Sequence, residues 1–508
     1  MKIKNRSFIL GLGFALVGCG DDGGTKLEAL DCEVGIVGGG AAGVYAAYRL
    51  TPSLGDKVCV FEKEAVVGGR IHDENLNGDA RAADRVAFGA RRLQEHGHKW
   101  LFDFGAELGV QFDKPAIPPN DLINARGRFS YSKDDFVPLY PGVKEFKNMD
   151  AGNREDDLYL ELQKPANLAK ATTFPDFRSY IRSITGAEGW WYLRDISRFR
   201  GDFDYSLAAG NYMEYFVEEW NTYGTPSYPK GGMSAFIYAM EAKVNEKKGR
   251  IFTGEPVLSI DRQDGGYRLT TGKHTVKVAK LIIAAPPAGF DAVTGAVADD
   301  LHKRAEYQAL VPIRVTVINQ WWDSAWWTNL HEAAAMNTDP PTWRAWTTEH
   351  CVNFIEIPQE KWLTDVKATR SVYNDDLFCA KFWEDTLAAG GIEAVEAEVV
   401  KGLNYLFNNG GVSKPTNVTI PKPKKTMMKT WPGAWYYMRA GTKLTNKQIQ
   451  DWTVEPLPGE KNLMVVGEAY WGNRAGWSIG AYRSVNKVLQ AKFNITPPTE
   501  PTEFAPPL

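Results

Sequence analysis

The stretch EVGIVGGGAAGVYAAYRL, Glu33 to Leu50, constrains this chain more than any other. An apolar run enters a glycine cluster and continues into residues that favour a helix, the pattern of a strand, a tight turn and a helix start. Gly38, Gly40 and Gly43 stand on the G-x-G-x-x-G spacing of a dinucleotide-binding turn. Gly38 permits the turn, Gly40 lets backbone amides approach a pyrophosphate, and Gly43 lets the helix lie close to the strand. The helix N-terminus adds oriented N–H groups and the positive end of a dipole. Glycine-rich turns also serve ordinary packing, so the neighbouring sequence decides.

A second apolar strand, KVCVFEKE, ends on Glu62, about twenty residues past the last motif glycine, where a carboxylate can bond ribose hydroxyls. VVGGRIH follows, with Gly68 and Gly69 loosening the backbone and Arg70 offering a forked cation to phosphate oxygens. In these motifs the sequence resembles the flavin-containing amine oxidases, whose FAD domain opens with this glycine turn, an acid ending the second strand, and a GGR motif. The resemblance implies an α/β fold. A Rossmann-like FAD-binding domain built from discontinuous segments would carry a mixed α+β substrate domain with a helical portion.

With 508 residues and 44% hydrophobic content, the chain can form a large core and about two or three domains. A formal net charge of -3, with no charged block, argues against nucleic acid as a partner and for small-molecule chemistry. The start, MKIKNRSFILGLGFALVGCG, has basic residues and then an apolar run too short to span a bilayer, as an export signal does. Leu16-Val17-Gly18-Cys19 resembles the bacterial lipobox, which implies a signal peptide over 1–18, acylation of Cys19, and a lipid-anchored protein in the periplasm or at the cell surface. An ordinary secretory signal is the competing reading. Residues 19–31 read as a tether, and 493–508 as a proline-rich tail that does not fold. Cys32, Cys59, Cys351 and Cys379 would then share an oxidising compartment. Their pairing is not legible, and although Cys32 and Cys59 lie on or beside the first two strands, buried free thiols are expected. His96 and His98 fall on different faces of an expected helix, and no metal site is expected there.

Two further blocks continue the resemblance. EPVLSIDRQDGGYRLTTGKHTVKVAKLIIAAPP reads as short strands around Gly265-Gly266. Val257 matches the family's adenine-contacting valine, while core packing is the plain alternative. NLMVVGEAYWGNRAGWSIGAYRSVNKVL resembles the closing strand and helix. The likeness implies Glu468 at the ribityl chain, Gly476 and Trp477 facing substrate, and the amides of Ser478, Ile479 and Gly480 at the isoalloxazine. A helix dipole there stabilises the charge that reduction brings. The FAD-binding domain is accordingly assigned 32–110, 228–310 and 456–492, and the substrate domain 111–227 and 311–455. In the latter, FPDFRSYIRSITG and YMEYFVEEW read as helical, and the tryptophans of QWWDSAWW as mostly core.

The substrate expectation turns on FGARRL. In the resembled family this block lies beside the flavin, with L-amino acid oxidases carrying G-x-M-R there. Gly89, Ala90, Arg91 and Arg92 match, with arginine in place of methionine. Arg92 is then the fork that pairs with a substrate carboxylate, the alternative being a structural ion pair or a flavin-phosphate contact. Many family members hold a lysine-bound water near flavin N5, and Arg314 is the nearest candidate for that position. WPGAWYY lacks a cysteine for covalent attachment, which implies non-covalent FAD. The expected reaction is oxidative deamination of an L-amino acid to a 2-oxo acid, ammonia and hydrogen peroxide, with dioxygen as acceptor. Alternatives are an amine without a carboxylate, a flavin desaturase, or a binding lipoprotein without enzymatic activity. Nothing in the sequence sets the oligomeric state.

Overall fold

The computed structural model describes residues 27–114, 121–222, 226–329, 344–357, 365–408 and 418–500. The signal peptide, Cys19 and the last eight residues of the tail lie outside them. The expected α/β architecture is present as two seven-stranded sheets.

The first sheet is assembled from stretches far apart in sequence. Its parallel centre is the strand Glu28–Val37, flanked by Val58–Phe61 and by His274–Ile283. Arg250–Phe252 extends one side, and Leu463–Val465 joins the end of His274–Ile283. The antiparallel strands Val257–Gln263 and Gly266–Thr271 complete it, among the short strands expected around Gly265-Gly266. Because side chains alternate along a strand, Val58 and Val60 enter one core and Cys59 and Phe61 another. The first core is covered by the helices Ala41–Leu54, Ser234–Glu246 and Ser478–Phe493. Burial on both faces explains the unbroken apolar runs of these parallel strands.

The second sheet has Leu310–Trp321 between Lys425–Met438 and Ala368–Asn374, and then Phe354–Glu356, Arg344–Thr347, Leu122–Ala125 and Arg128–Ser130. Helices from Arg154 to Thr222 cover one face, including the expected helices Phe177–Thr185 and Ala209–Thr222. The long helix Leu377–Asn408, kinked at Gly391, covers the other, and Trp322, Trp326 and Trp327 are core there.

Three expectations need correction. His96 and His98 lie in turns before the helix Lys99–Glu107, because His98 Nδ1 accepts from the Gln94 amide at 2.9 Å and closes a turn instead of a helix. The cysteines are not free thiols: Cys32 is bonded to Cys59 and Cys351 to Cys379. Pairing of Glu28–Val37 with Val58–Phe61 brings the first two together. Lastly, the start of the tail is held, with Arg49 donating to the Thr496 carbonyl at 2.8 Å and Arg483 paired with Glu500 at 2.6 Å.

Candidate active site

The glycine turn meets the GGR loop directly. The Gly68 amide donates to the Gly39 carbonyl at 2.8 Å, and Gly40 bridges Gly68. At Gly43 a Cβ would stand 1.9 Å from the Gly38 carbonyl oxygen, so the close approach of helix to strand requires glycine. Glu62 is buried at the end of its strand, its Oε2 accepting from the Gly39 amide at 2.7 Å and its Oε1 from the Glu64 amide at 2.8 Å. Burial raises its pKa against those two bonds. Val257 opens its strand close by, since the Glu255 amide donates to the Glu62 carbonyl at 2.8 Å.

Arg70 and Glu468 clasp the two ends of the chain. Arg70 Nη1 donates to Glu468 Oε2 at 2.6 Å and to the Ala434 carbonyl at 2.8 Å. Glu468 Oε1 accepts from the Gly476 amide at 2.8 Å, fixing the loop before the helix Ser478–Phe493. Neither this helix nor Ala41–Leu54 has a side-chain N-cap bond, so both helix starts present amides without such a partner. Trp477 borders the loop. Its Nε1 donates to Glu219 Oε2 at 2.8 Å, and its ring meets His98 edge-on at 4.4 Å. Burial, with Arg474 and Arg483 nearby, keeps His98 neutral. Burial also lifts Glu219 to about 7, opposed by Arg474, the Trp477 bond and Arg92.

The segment Gly89 to Arg92 runs against Arg70 to His72. The Ala90 amide donates to the Arg70 carbonyl at 3.1 Å, and a Cβ on Gly89 would lie 1.9 Å from that oxygen. The two arginines then part in role. Arg91 is buried, paired with Glu356, and stacked 5.0 Å over Tyr228. Arg370 reaches the same carboxylate at 3.8 Å. Burial pushes Glu356 up, but Arg91, Arg370, Arg92 and Arg344 outweigh it and hold the carboxyl at about 2. Arg92 has Glu356 Oε1 at 4.0 Å as its one ion-pair partner among the described residues, makes no hydrogen bond there, and keeps 16% of its side chain accessible. Three guanidinium groups thus share one carboxylate, leaving positive charge at Arg92.

A family profile described as flavin containing amine oxidoreductase matches residues 41–484. The chain belongs to that family. Among solved structures, a putrescine oxidase bound to putrescine aligns with a TM-score of 0.63 at 13% identity, covering 92% of this chain and 100% of that one. A cyclohexylamine oxidase from Brevibacterium oxydans IH-35A aligns with a TM-score of 0.62 at 16% identity, covering 90% and 99%. No curated protein matches in sequence.

FAD, the cofactor of this amine oxidoreductase, fits the residues present. The glycines at 40 and 69 leave a cradle that side chains would fill, for a Cβ on Gly69 would lie 3.1 Å from the Gly40 Cα. Glu62 at the strand end suits a ribose, and the uncapped helix starts suit the pyrophosphate and the reduced ring. Arg70 is committed to Glu468 and Ala434 through Nη1, so it braces the cradle in addition to any phosphate contact.

Arg314 is the sequence candidate that the structure does not bring to this group. Ile313 and Val315 face the core with Trp435, so Arg314 points the other way and pairs with Glu384 at 2.9 Å on the long helix, 40% exposed. Conversely, sequence reasoning missed Glu219, His98, Trp435, Arg370 and Glu356. Only Glu356 carried a signal: a lone acid inside the apolar run FIEI requires buried partners. Among the described residues no cluster of side chains is set to hold a metal ion.

Proposed function

We propose that this amine oxidoreductase oxidises an L-amino acid. The observation that carries the reading is the accessible guanidinium of Arg92, without a hydrogen-bond partner among the described residues, beside a carboxylate already shared by two other arginines. A fork of donors with surplus positive charge in a largely dry site suits a substrate carboxylate. Gly476 offers a carbonyl for the amino group. Trp477 and Trp435, the latter within 3.8 Å of a Cβ position on Gly476, supply apolar walls that favour the neutral amine by desolvation. The chemistry supplied by bound FAD is acceptance of a hydride from the α-carbon while the amine loses a proton; the imino acid is hydrolysed to a 2-oxo acid and ammonia, and dioxygen takes the two electrons as hydrogen peroxide.

A second reading is an amine without a carboxylate, the kind of compound in the names of the putrescine and cyclohexylamine oxidases. The test is anaerobic bleaching of the flavin by amino acids and by their decarboxylated amines side by side. Faster bleaching by the amino acid supports the first reading, and faster bleaching by the amine overturns it. The FAD is held without a covalent bond in this reading, supported by the disulfide pairing of Cys32, Cys59, Cys351 and Cys379. Acid precipitation should leave the yellow chromophore in the supernatant; colour kept in the pellet contradicts this. We further propose export with a lipid anchor at Cys19: the disulfides, which persist in oxidising compartments, support export, and the lipobox-like Leu16-Val17-Gly18-Cys19 supports the anchor.

A further inference from the structure

Beyond the tryptophan walls stands an acid that has no ion-pair partner among the described residues. Asp202 lies on the short helix Gly201–Asp204. Its Oδ2 accepts from the Tyr212 hydroxyl at 2.8 Å, and the Tyr437 hydroxyl lies close by. Its Oδ1 is buried and has no hydrogen-bond partner among the described residues. Asp202 makes no ion pair among the described residues; of the arginines beside its helix, Arg194 pairs with Asp204 at 2.7 Å and Asp376 at 3.1 Å, and Arg200, whose charge also bears on Asp375, lies 3.8 Å from Asp376. Asp375 stands behind Asp202. It is fully buried, its Oδ2 is likewise without a partner, and its Cγ lies 3.2 Å from a Cβ position on Gly201. A buried carboxylate without a cation is costly, and a ligand that brings the cation removes the cost.

The position of this acid relative to Arg92 gives it meaning. Tyr437 is two residues from Trp435 on the strand Lys425–Met438, and residues two apart share a face. Trp435 flanks Gly476. The rings of Tyr212 and Tyr215 lie 5.1 and 5.2 Å from that of Tyr437, so packed aromatic rings stand between Trp435 and Asp202. Tyr373 and Glu219 each sense the charges of both Arg92 and Asp202, which places the two poles around one region. One end is positive, the other negative, and the middle is aromatic.

Building on the proposed amino-acid oxidation, we infer that the substrate is a basic L-amino acid, its carboxylate at Arg92 and the cation of its side chain at Asp202. An aliphatic stem such as the four-carbon stem of lysine would lie along the tyrosines. Burial raises Asp202 to about 6 against the Tyr212 and Tyr437 hydroxyls, as expected of an acid whose countercharge comes with the ligand.

The experiment is anaerobic flavin reduction by L-lysine, L-norleucine and cadaverine, with wild-type holoenzyme and with Asp202→Asn. The side chain of norleucine lacks the ammonium, and cadaverine lacks the carboxylate. Lysine is expected to exceed norleucine in second-order rate constant by about a hundredfold or more, because a site built for a polar group leaves its own groups unpaired with an apolar analogue. Asp202→Asn should lower the lysine value by about thirtyfold or more and the norleucine value by less than about threefold. Norleucine turnover also reports whether the variant is folded, and the wild-type ratio needs no variant at all. Lysine and norleucine reacting alike, both ahead of cadaverine, overturns the inference and leaves the amino-acid reading standing. Cadaverine ahead of lysine overturns the amino-acid reading and the inference with it.

Discussion

Arg91 and Arg92 are neighbours in sequence with different work to do, and they separate in experiment. Arg91 holds the closest ion pair with buried Glu356, so Arg91→Ala leaves that carboxylate to the more distant Arg370 and Arg92 and should cost stability, at most about 3 to 5 kcal/mol. Arg92→Ala removes the proposed substrate contact instead. In the proposed reaction it should lower kcat/KM for L-amino acids by roughly thirty to several thousandfold with flavin occupancy retained. Loss of FAD from the Arg92 variant would reassign the residue to the cofactor. Glu219 gives a second residue-level prediction. Its folded pKa is about 7, against an unfolded value of about 4.3, so its protonated form favours folding. That contribution is full below about pH 4.3 and is lost as pH rises through about 7. Glu219→Gln cannot ionise, so its melting temperature relative to wild type should rise between about pH 5 and pH 8; a constant difference across that range contradicts the assignment. The glycines, Glu62, Arg70 and Arg92 were legible because local motif spacing marks them. Glu219 and Arg370 were not, for each acquires its place only through folding of segments distant in sequence, and no local spacing records that.

At the scale of elements, the helix Ala41–Leu54 stands on the strand Glu28–Val37 through a contact with no slack at Gly43. Gly43→Ala sets a methyl group 1.9 Å from a backbone oxygen, so the helix must move away from the turn. The expected result is a loss of about 1 to 3 kcal/mol or more in stability, and a lower ratio of flavin to protein absorbance in the purified variant. Full occupancy at wild-type stability would show that the close approach is dispensable. Hydrophobic period and turn residues announced the strands from Val257 to Ile283 and the helices at Phe177–Thr185 and Ala209–Thr222. The disulfides escaped because pairing depends on which strands become neighbours, a property of topology. The same holds for the second sheet, where Leu122–Ala125 runs parallel to Arg344–Thr347 with no local sequence signal for the partnership.

For the whole molecule, no helix among the described residues is long and apolar enough to cross a membrane, and the proposed attachment is the lipid at Cys19. If Cys19 is acylated as proposed, Cys19→Ala should move the protein from the membrane fraction to the soluble one with FAD content unchanged. Continued sedimentation with membranes contradicts the anchor. The Arg70–Glu468 clasp has a consequence in time. The ribosome makes the glycine turn long before it reaches the helix from Ser478. At roughly 5 to 20 residues per second, the cradle waits on the order of a minute for its second half. A nascent chain stopped before Glu468 carries every glycine of the motif and still lacks the acid that closes the cradle, so firm capture of the cofactor waits until Glu468 has been made.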